Sequence, residues 1–260
     1  MELPSKKITP QPVPVIKHYT VGRSVEDRPI DCHIIGEGED VTFILASIHG
    51  DEKAGVNLAV RLVQHLEKHY YLLKGRKVVI IPVANPDGRA LQIRYNARGV
   101  DLNRNFTALN RINCSRFGMV EFSEPETRII DWIIQEHSPD RIVSIHGPLA
   151  CVDYDGPGRE LAYRMADRCG LPVLKLGAKP GSFGSYAGET LGIPIITFEL
   201  PGEADDQPRE YVWELYRDAL IEAVTYTPLR RKNYVRSGKD VLFRQADIRS
   251  PPVDGIQAGE

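Results

Sequence analysis

Cysteine is scarce in this chain of 260 residues: there are four, Cys32, Cys114, Cys151 and Cys169, and no two form a CxxC pair. The scatter reads as reduced thiols in a cytoplasm, while the even count permits disulfides after export. Neither sign of charge is in excess. Thirty-three Lys and Arg against 35 Asp and Glu leave a formal charge of −2, which gives no reason to expect nucleic acid or a membrane as partner. No apolar run approaches the roughly 18 residues that span a bilayer. The opening stretch "MELPSKKITPQPVPV" lacks the apolar centre of a signal peptide. No internal repeat or long low-complexity block is visible. With 42% hydrophobic residues, what is left is enough to bury one substantial core, which points to a single larger α/β domain.

Pro4, Pro10, Pro12 and Pro14 make residues 1–17 an extended lead-in. Residues 18–229 read as the single folded domain, and the polar, nearly aperiodic stretch 230–260 as a tail in which Val241, Leu242 and Phe243 are the segment able to dock. Inside the domain, apolar runs alternate with helical patterns. Strands are expected at 41–48, 77–84, 141–145 and 193–200. Amphipathic helices are expected at 55–66, 125–137, 159–170 and 208–224, with Pro125 at the start of the second and Gly170 closing the third. Continuous apolar strands between helices imply a mostly parallel mixed central sheet covered on both faces. In such sheets, ligands bind beyond the carboxyl ends of the strands.

The ionisable residues fall at those ends. The run "ILASIHGDEKAG" stops in His49, Asp51 and Glu52, the "RIVSI" strand in His146, and the "IPIITF" strand in Glu199. Two histidines and a carboxylate suit a catalytic zinc, which takes three protein ligands and keeps one position open. His49 and Glu52, three apart on a turn, can bend towards one ion. Asp51 and Glu203 compete for the carboxylate roles, with a helix N-cap the favoured role for Asp51. A long polar stretch, "NPDGRALQIRYNARGVDLNRNF" (85–106), crowds Arg94, Asn103 and Arg104 onto the same rim. Guanidinium groups match carboxylates and stabilise developing oxyanions, so the substrate is expected to be a small peptide with a free terminal carboxylate.

In order along residues 44–203, His49-x-x-Glu52, "NPDG…GVDLNRNF", His146 and the "TFEL" Glu199 resemble the zinc carboxypeptidases of the carboxypeptidase A type. The resemblance implies one zinc per chain on His49, Glu52 and His146. It implies Glu199 as general base and acid, Arg94 as oxyanion stabiliser, and Asn103 with Arg104 as the carboxylate clamp. "HGPLACVDYDG" and "KPGSFGSYAGETLGIPIITFELP" are similar to a small bacterial branch of that family. Members of that branch hydrolyse the bond between γ-D-glutamate and meso-diaminopimelate in cell-wall peptides, in the cytoplasm. Gly147 stands where the branch carries an acidic residue, which bears on how His146 is oriented.

The mobile Tyr of peptide carboxypeptidases has no match before the Gly-Ser segment. Tyr186 either takes its place at the substrate or packs in the core, and Phe183 either lines the pocket or packs. Asp153, Asp155, Lys179, Ser182 and Ser185 are candidates for the polar pocket, without a ranking among them. The competing expectations are a general metallocarboxypeptidase, an N-acyl amino acid deacylase of the succinylglutamate desuccinylase/aspartoacylase type, and a non-catalytic peptide-binding relative. Monomer and homodimer both stay open.

Overall fold

Ile44 and Leu45 are neighbours in sequence yet pack into opposite cores, because the strand that carries them, β3 (Asp40–Ala46), is covered on both faces. A computed structural model describes residues 15–227 of the chain. The tail at 230–260, with Val241–Phe243, and all but the last residues of the 1–17 lead-in lie outside the described residues.

β3 pairs in parallel with β4 (Arg76–Ile81) and with β5 (Arg141–His146), and β5 pairs in parallel with β7 (Ile195–Pro201). These are the four expected strands. Antiparallel strands that the apolar runs did not announce flank them. β1 (Ile16–Arg23) pairs with β2 (Pro29–Gly36), which pairs with β4, while β6 (Leu149–Asp155) closes the other edge against β7. The seven strands run in the order β1-β2-β4-β3-β5-β7-β6. Edge strands bury less, so β1 is largely exposed and reads as polar in sequence.

Helices α1 (Lys53–Lys68), α4 (Arg159–Cys169) and α5 (Arg209–Thr225) cover one face. Leu58, Leu62, Leu161, Met165, Trp213 and Leu220 pack there against Ile44, Val143, Ile145 and Phe198. On the other face, α3 (Pro125–His137) brings Ile130, Ile133 and Ile134 onto Phe43, Leu45 and Ile142. A short α2 (Pro86–Leu91) occupies part of what reads as a polar loop, started by Asn85, whose Oδ1 accepts from the Gly88 amide at 2.9 Å. Among the described residues no helix is long and apolar enough to cross a membrane.

Candidate metal centre

The first strand does not run to Ile48 as its apolar sequence implies. β3 ends at Ala46, and Ser47 takes a left-handed φ of 53°, a conformation unfavourable for a side-chain-bearing residue, which turns the chain over the sheet edge. The turn that follows rests on α2: a Cβ on Gly50 would lie 2.0 Å from the carbonyl carbon of Gly88, so only glycine lets the two backbones approach. His49 and Glu52 are thereby set at the C-terminal edge of the sheet, where β5 delivers His146 as its last residue.

The three side chains meet. Their ligand atoms lie within 4.8 Å of one another, and this is the one such group of three or more His, Cys, Asp or Glu among the described residues. His49 Nδ1 is 2.6 Å from Glu52 Oε1, and His146 Nδ1 is 3.1 Å from Glu52 Oε2. Glu52 Oε2 is buried and makes no hydrogen bond. Each imidazole is held from behind through its other nitrogen: His49 Nε2 faces Asp101 Oδ1 at 3.3 Å, and His146 Nε2 faces Ser144 Oγ at 2.9 Å. Ring orientation by such partners leaves both Nδ1 atoms directed at one point. Two imidazole nitrogens and a carboxylate, with one buried oxygen making no hydrogen bond, are the donor set of a catalytic zinc, so the residues fit the ion.

Charge balance follows from the same contacts. Burial alone would push Glu52 up, but His146 and His49 pull it down to about 2. Burial alone would lower His49, but Glu52 and Asp101 outweigh it and lift it to about 9. Asp101, drawn well below the usual carboxylate range against the effect of its burial, serves three donors. Besides His49 it accepts from the Asn103 amide at 3.0 Å and, through Oδ2, from Arg94 Nε at 3.0 Å.

Glu199 stands beside this cluster, opposite His146 in the β5–β7 register. Its Oε2 is buried without a hydrogen bond. Burial raises its carboxyl above the ordinary value, with Glu52 adding and His146 opposing. Asn103 Oδ1 accepts from the Phe183 amide at 2.8 Å. Arg104 is half-buried, donates to the carbonyl of Asn103, and has no carboxylate within ion-pair distance among the described residues.

Other expectations are corrected. Phe183 and Tyr186 belong to the core: both rings stack on Phe106, at 5.0 and 5.7 Å between centroids, and the Tyr186 hydroxyl donates to Asp131. Their segment, a wide π-helical turn from Ser185 to Thr190 and the residues before it, reaches the site through the Phe183 backbone instead. Asp51 is exposed and does not cap α1. The N-cap position is Glu52, whose carboxylate is turned to the metal site, and Asp205 Oδ1 accepts from the Ala54 amide at 2.6 Å in its place. Glu203 is exposed in the turn at Gly202–Asp206, away from any carboxylate role at the centre. Among the pocket candidates, Asp155 is bound by Lys175 at 2.7 Å, Ser182 and Ser185 bond within their own loop and to Asn110, and Lys179 is exposed. The orientation of His146, in question because of Gly147, is supplied by Ser144.

Asp101 and Ser144 carry roles that the sequence reading missed, although both had a signal. Asp101 lies two residues before Asn103 in the polar motif, and Ser144 lies two before His146, on the same face of β5.

The zinc carboxypeptidase family model matches residues 10–154 of the chain. Murein peptide amidase A of Escherichia coli is 35% identical over 220 residues, covering 76% of this chain and 86% of the relative. The Vibrio campbellii protein of the same name is 33% identical over 208 residues, covering 72% and 78%. Among solved structures, murein-tripeptide amidase from Escherichia coli superimposes with a TM-score of 0.64 and 29% identity over 82% of this chain and 93% of that one. Carboxypeptidase A from Helicoverpa armigera shares the fold, with a TM-score of 0.69 at 21% identity over 81% of this chain and 69% of that one.

Proposed function

The chain belongs to the zinc carboxypeptidase family, and on that premise we propose that it hydrolyses the γ-D-glutamyl–meso-diaminopimelate bond of murein peptides. It is a zinc-dependent hydrolase. The observation that carries the substrate reading is that the likeness to murein peptide amidase A runs across 86% of that enzyme instead of stopping at the metal motif.

His49, Glu52 and His146 would hold the zinc through two Nδ1 atoms and the carboxylate. When bound, the ion supplies the Lewis acidity that polarises the scissile carbonyl and makes water a nucleophile at neutral pH. Glu199 takes the proton of the attacking water and returns it to the leaving nitrogen, a role that its buried carboxylate, with Oε2 making no hydrogen bond, supports. Arg94, tethered to Asp101 by Nε, keeps its terminal amino groups for the charge developing on the carbonyl oxygen. Asn103 Nδ2 and the half-buried Arg104 guanidinium clamp the terminal carboxylate of the substrate. The four cysteines are all unpaired, which supports placing the enzyme in a reducing cytoplasm and its reaction in the reuse of wall peptides.

The test is mass spectrometry of products from the zinc-loaded protein. Free diaminopimelate should appear from murein tripeptide, faster than residues are released from an ordinary C-terminal peptide or an N-acyl amino acid. Intact tripeptide with zinc bound overturns the reading. Preferential release from the ordinary peptide makes the protein a general metallocarboxypeptidase, and from the acyl amino acid a deacylase.

A further inference from the structure

Among the described residues, three buried acids have no cation within ion-pair distance and no place in the metal triad: Glu126, Asp153 and Glu199. The others are matched, Asp87 by Arg28, Asp101 by Arg94, Glu124 by Arg98, Asp155 by Lys175 and Glu222 by Arg164. Glu126 is served by the Val25 amide and Asn96 in a network with Glu124. Asp153 is different, because it shares a sheet face with Glu199.

The register shows this. In the antiparallel pairing of β6 and β7, Cys151 stands opposite Glu199 and Asp153 opposite Thr197. Directly opposed residues project to the same face, and so do residues two apart along one strand. Glu199, Thr197, Cys151 and Asp153 therefore form one patch beside the metal ligands. The Cys151 thiol, raised to about 11 by burial and then by Glu199 and Asp153, feels both carboxylates, as a group lying between them must. Asp153 itself is 4% exposed, and its Oδ1 accepts from the Leu176 amide at 2.9 Å. That bond fixes the carboxylate, and among the described residues no side-chain cation lies within ion-pair distance of it. Lys175, whose charge is felt at Asp153, makes its ion pair with Asp155 at 2.7 Å.

We propose that Asp153 is the specificity residue of this site, accepting the side-chain ammonium of the residue released from the substrate. The assignment rests on the murein reading above and deepens it. Asp153 is one two-residue strand step, about 6.8 Å, further from the catalytic carboxylate than Cys151. The three methylenes of diaminopimelate separate its distal ammonium from its α-carbon by a comparable reach. With the α-carboxylate held at Arg104 and the scissile nitrogen at Glu199, the side chain reaches Asp153. There its positive charge meets a buried carboxylate that makes no ion pair of its own among the described residues, which is the condition under which such a pair discriminates strongly. Aspartate in place of an apolar residue on this face also disfavours substrates with aliphatic side chains, because binding them would leave the charge buried and unpaired.

The experiment compares two peptides that differ only in that ammonium, γ-D-glutamyl–diaminopimelate and γ-D-glutamyl–2-aminopimelate, on wild type and on Asp153→Asn. Asparagine preserves the acceptor for Leu176. The wild type should prefer the diaminopimelyl peptide by about 10- to 100-fold in kcat/KM, and Asp153→Asn should abolish that preference with zinc content unchanged. Equal kcat/KM for the two peptides on the wild type overturns the assignment without recourse to a variant, and so does a preference that survives in Asp153→Asn. If the wild type cleaves neither peptide, the murein reading fails separately. The same comparison on ordinary peptides ending in lysine or norleucine then decides the role of Asp153, where loss of a lysine preference in the variant supports it and an unchanged ratio overturns it.

Discussion

Glu199 lies directly opposite His146 across two parallel strands, and its Oε2 is buried with no hydrogen-bond partner. The carboxylate is adjacent to the metal ligands without being one of them. Glu199→Gln removes the proton acceptor and preserves the shape, so it should keep a full equivalent of zinc by metal analysis. Turnover should fall by about two orders of magnitude or more. Activity near that of wild type would remove Glu199 from the base role.

Asp101 links His49 to Arg94, since one oxygen faces His49 and the other holds Arg94. Asp101→Asn keeps the size but weakens the orientation of His49. Zinc affinity in chelator competition is expected to fall by about 10- to 100-fold. The lost charge also releases Arg94, so kcat should drop even at saturating zinc. A variant with unchanged affinity and unchanged kcat would refute both connections.

Zinc binding should release protons in a pH-dependent way. Without the ion, Glu52 and Asp101 raise His49 to about 9, so it carries a proton at pH 7.5 that the metal must displace. Calorimetry in buffers of different ionisation enthalpy should show about one proton released per zinc at pH 7.5. The release should vanish as pH rises well above 9, where the imidazole is already neutral. The sign is that affinity increases with pH through this window, and a flat profile contradicts the contact-based account.

The N-terminus of α1 is capped from outside the helix. Asp205→Ala should cost about 0.5–2 kcal/mol of stability by thermal or urea unfolding, the range for losing a cap, because it strips the acceptor from the Ala54 amide. Asp51→Ala, on an exposed residue without a capping bond, should be close to neutral. The reverse ranking would restore Asp51 as the cap.

Arg104 tests the carboxylate clamp. Arg104→Gln should raise KM for a peptide with a free terminal carboxylate by at least about tenfold, as expected for loss of a charge-assisted pair. The C-terminal amide of the same peptide, already poor, should be unaffected. Equal losses on both would mean that Arg104 supports the loop instead of the ligand.

Much of this protein is written locally. The parallel strands β3, β4, β5 and β7 are visible as apolar runs because burial on both faces demands them, and the amphipathic helices are visible because one stripe must face the sheet. His49, Glu52, His146 and Glu199 could be picked out because strands of such a sheet end on one rim. The edge strands were not legible: β1 is exposed, and β6 places Asp153 and Asp155 where an apolar run would have shown. Their pairing depends on neighbours far along the chain.

Side-chain direction and partnership were decided only by the tertiary structure. Phe183 and Tyr186 stand in a segment that reaches the site, yet their rings turn to Phe106 and the core while a backbone amide does the positioning. Asp51 sits beside α1, yet Asp205, 151 residues beyond Ala54 in sequence, supplies the bond. Asp101 and Ser144 look ordinary until the folded chain sets each behind an imidazole. The sequence determined the chemistry by placing two imidazoles and two carboxylates at strand ends, since residue type and periodicity are local properties. Which carboxylate meets the imidazoles, which is buried beside them, which caps a helix and which finds no ion-pair partner came from packing. Those roles depend on desolvation and on the partner each group meets, and both exist only once the chain is folded.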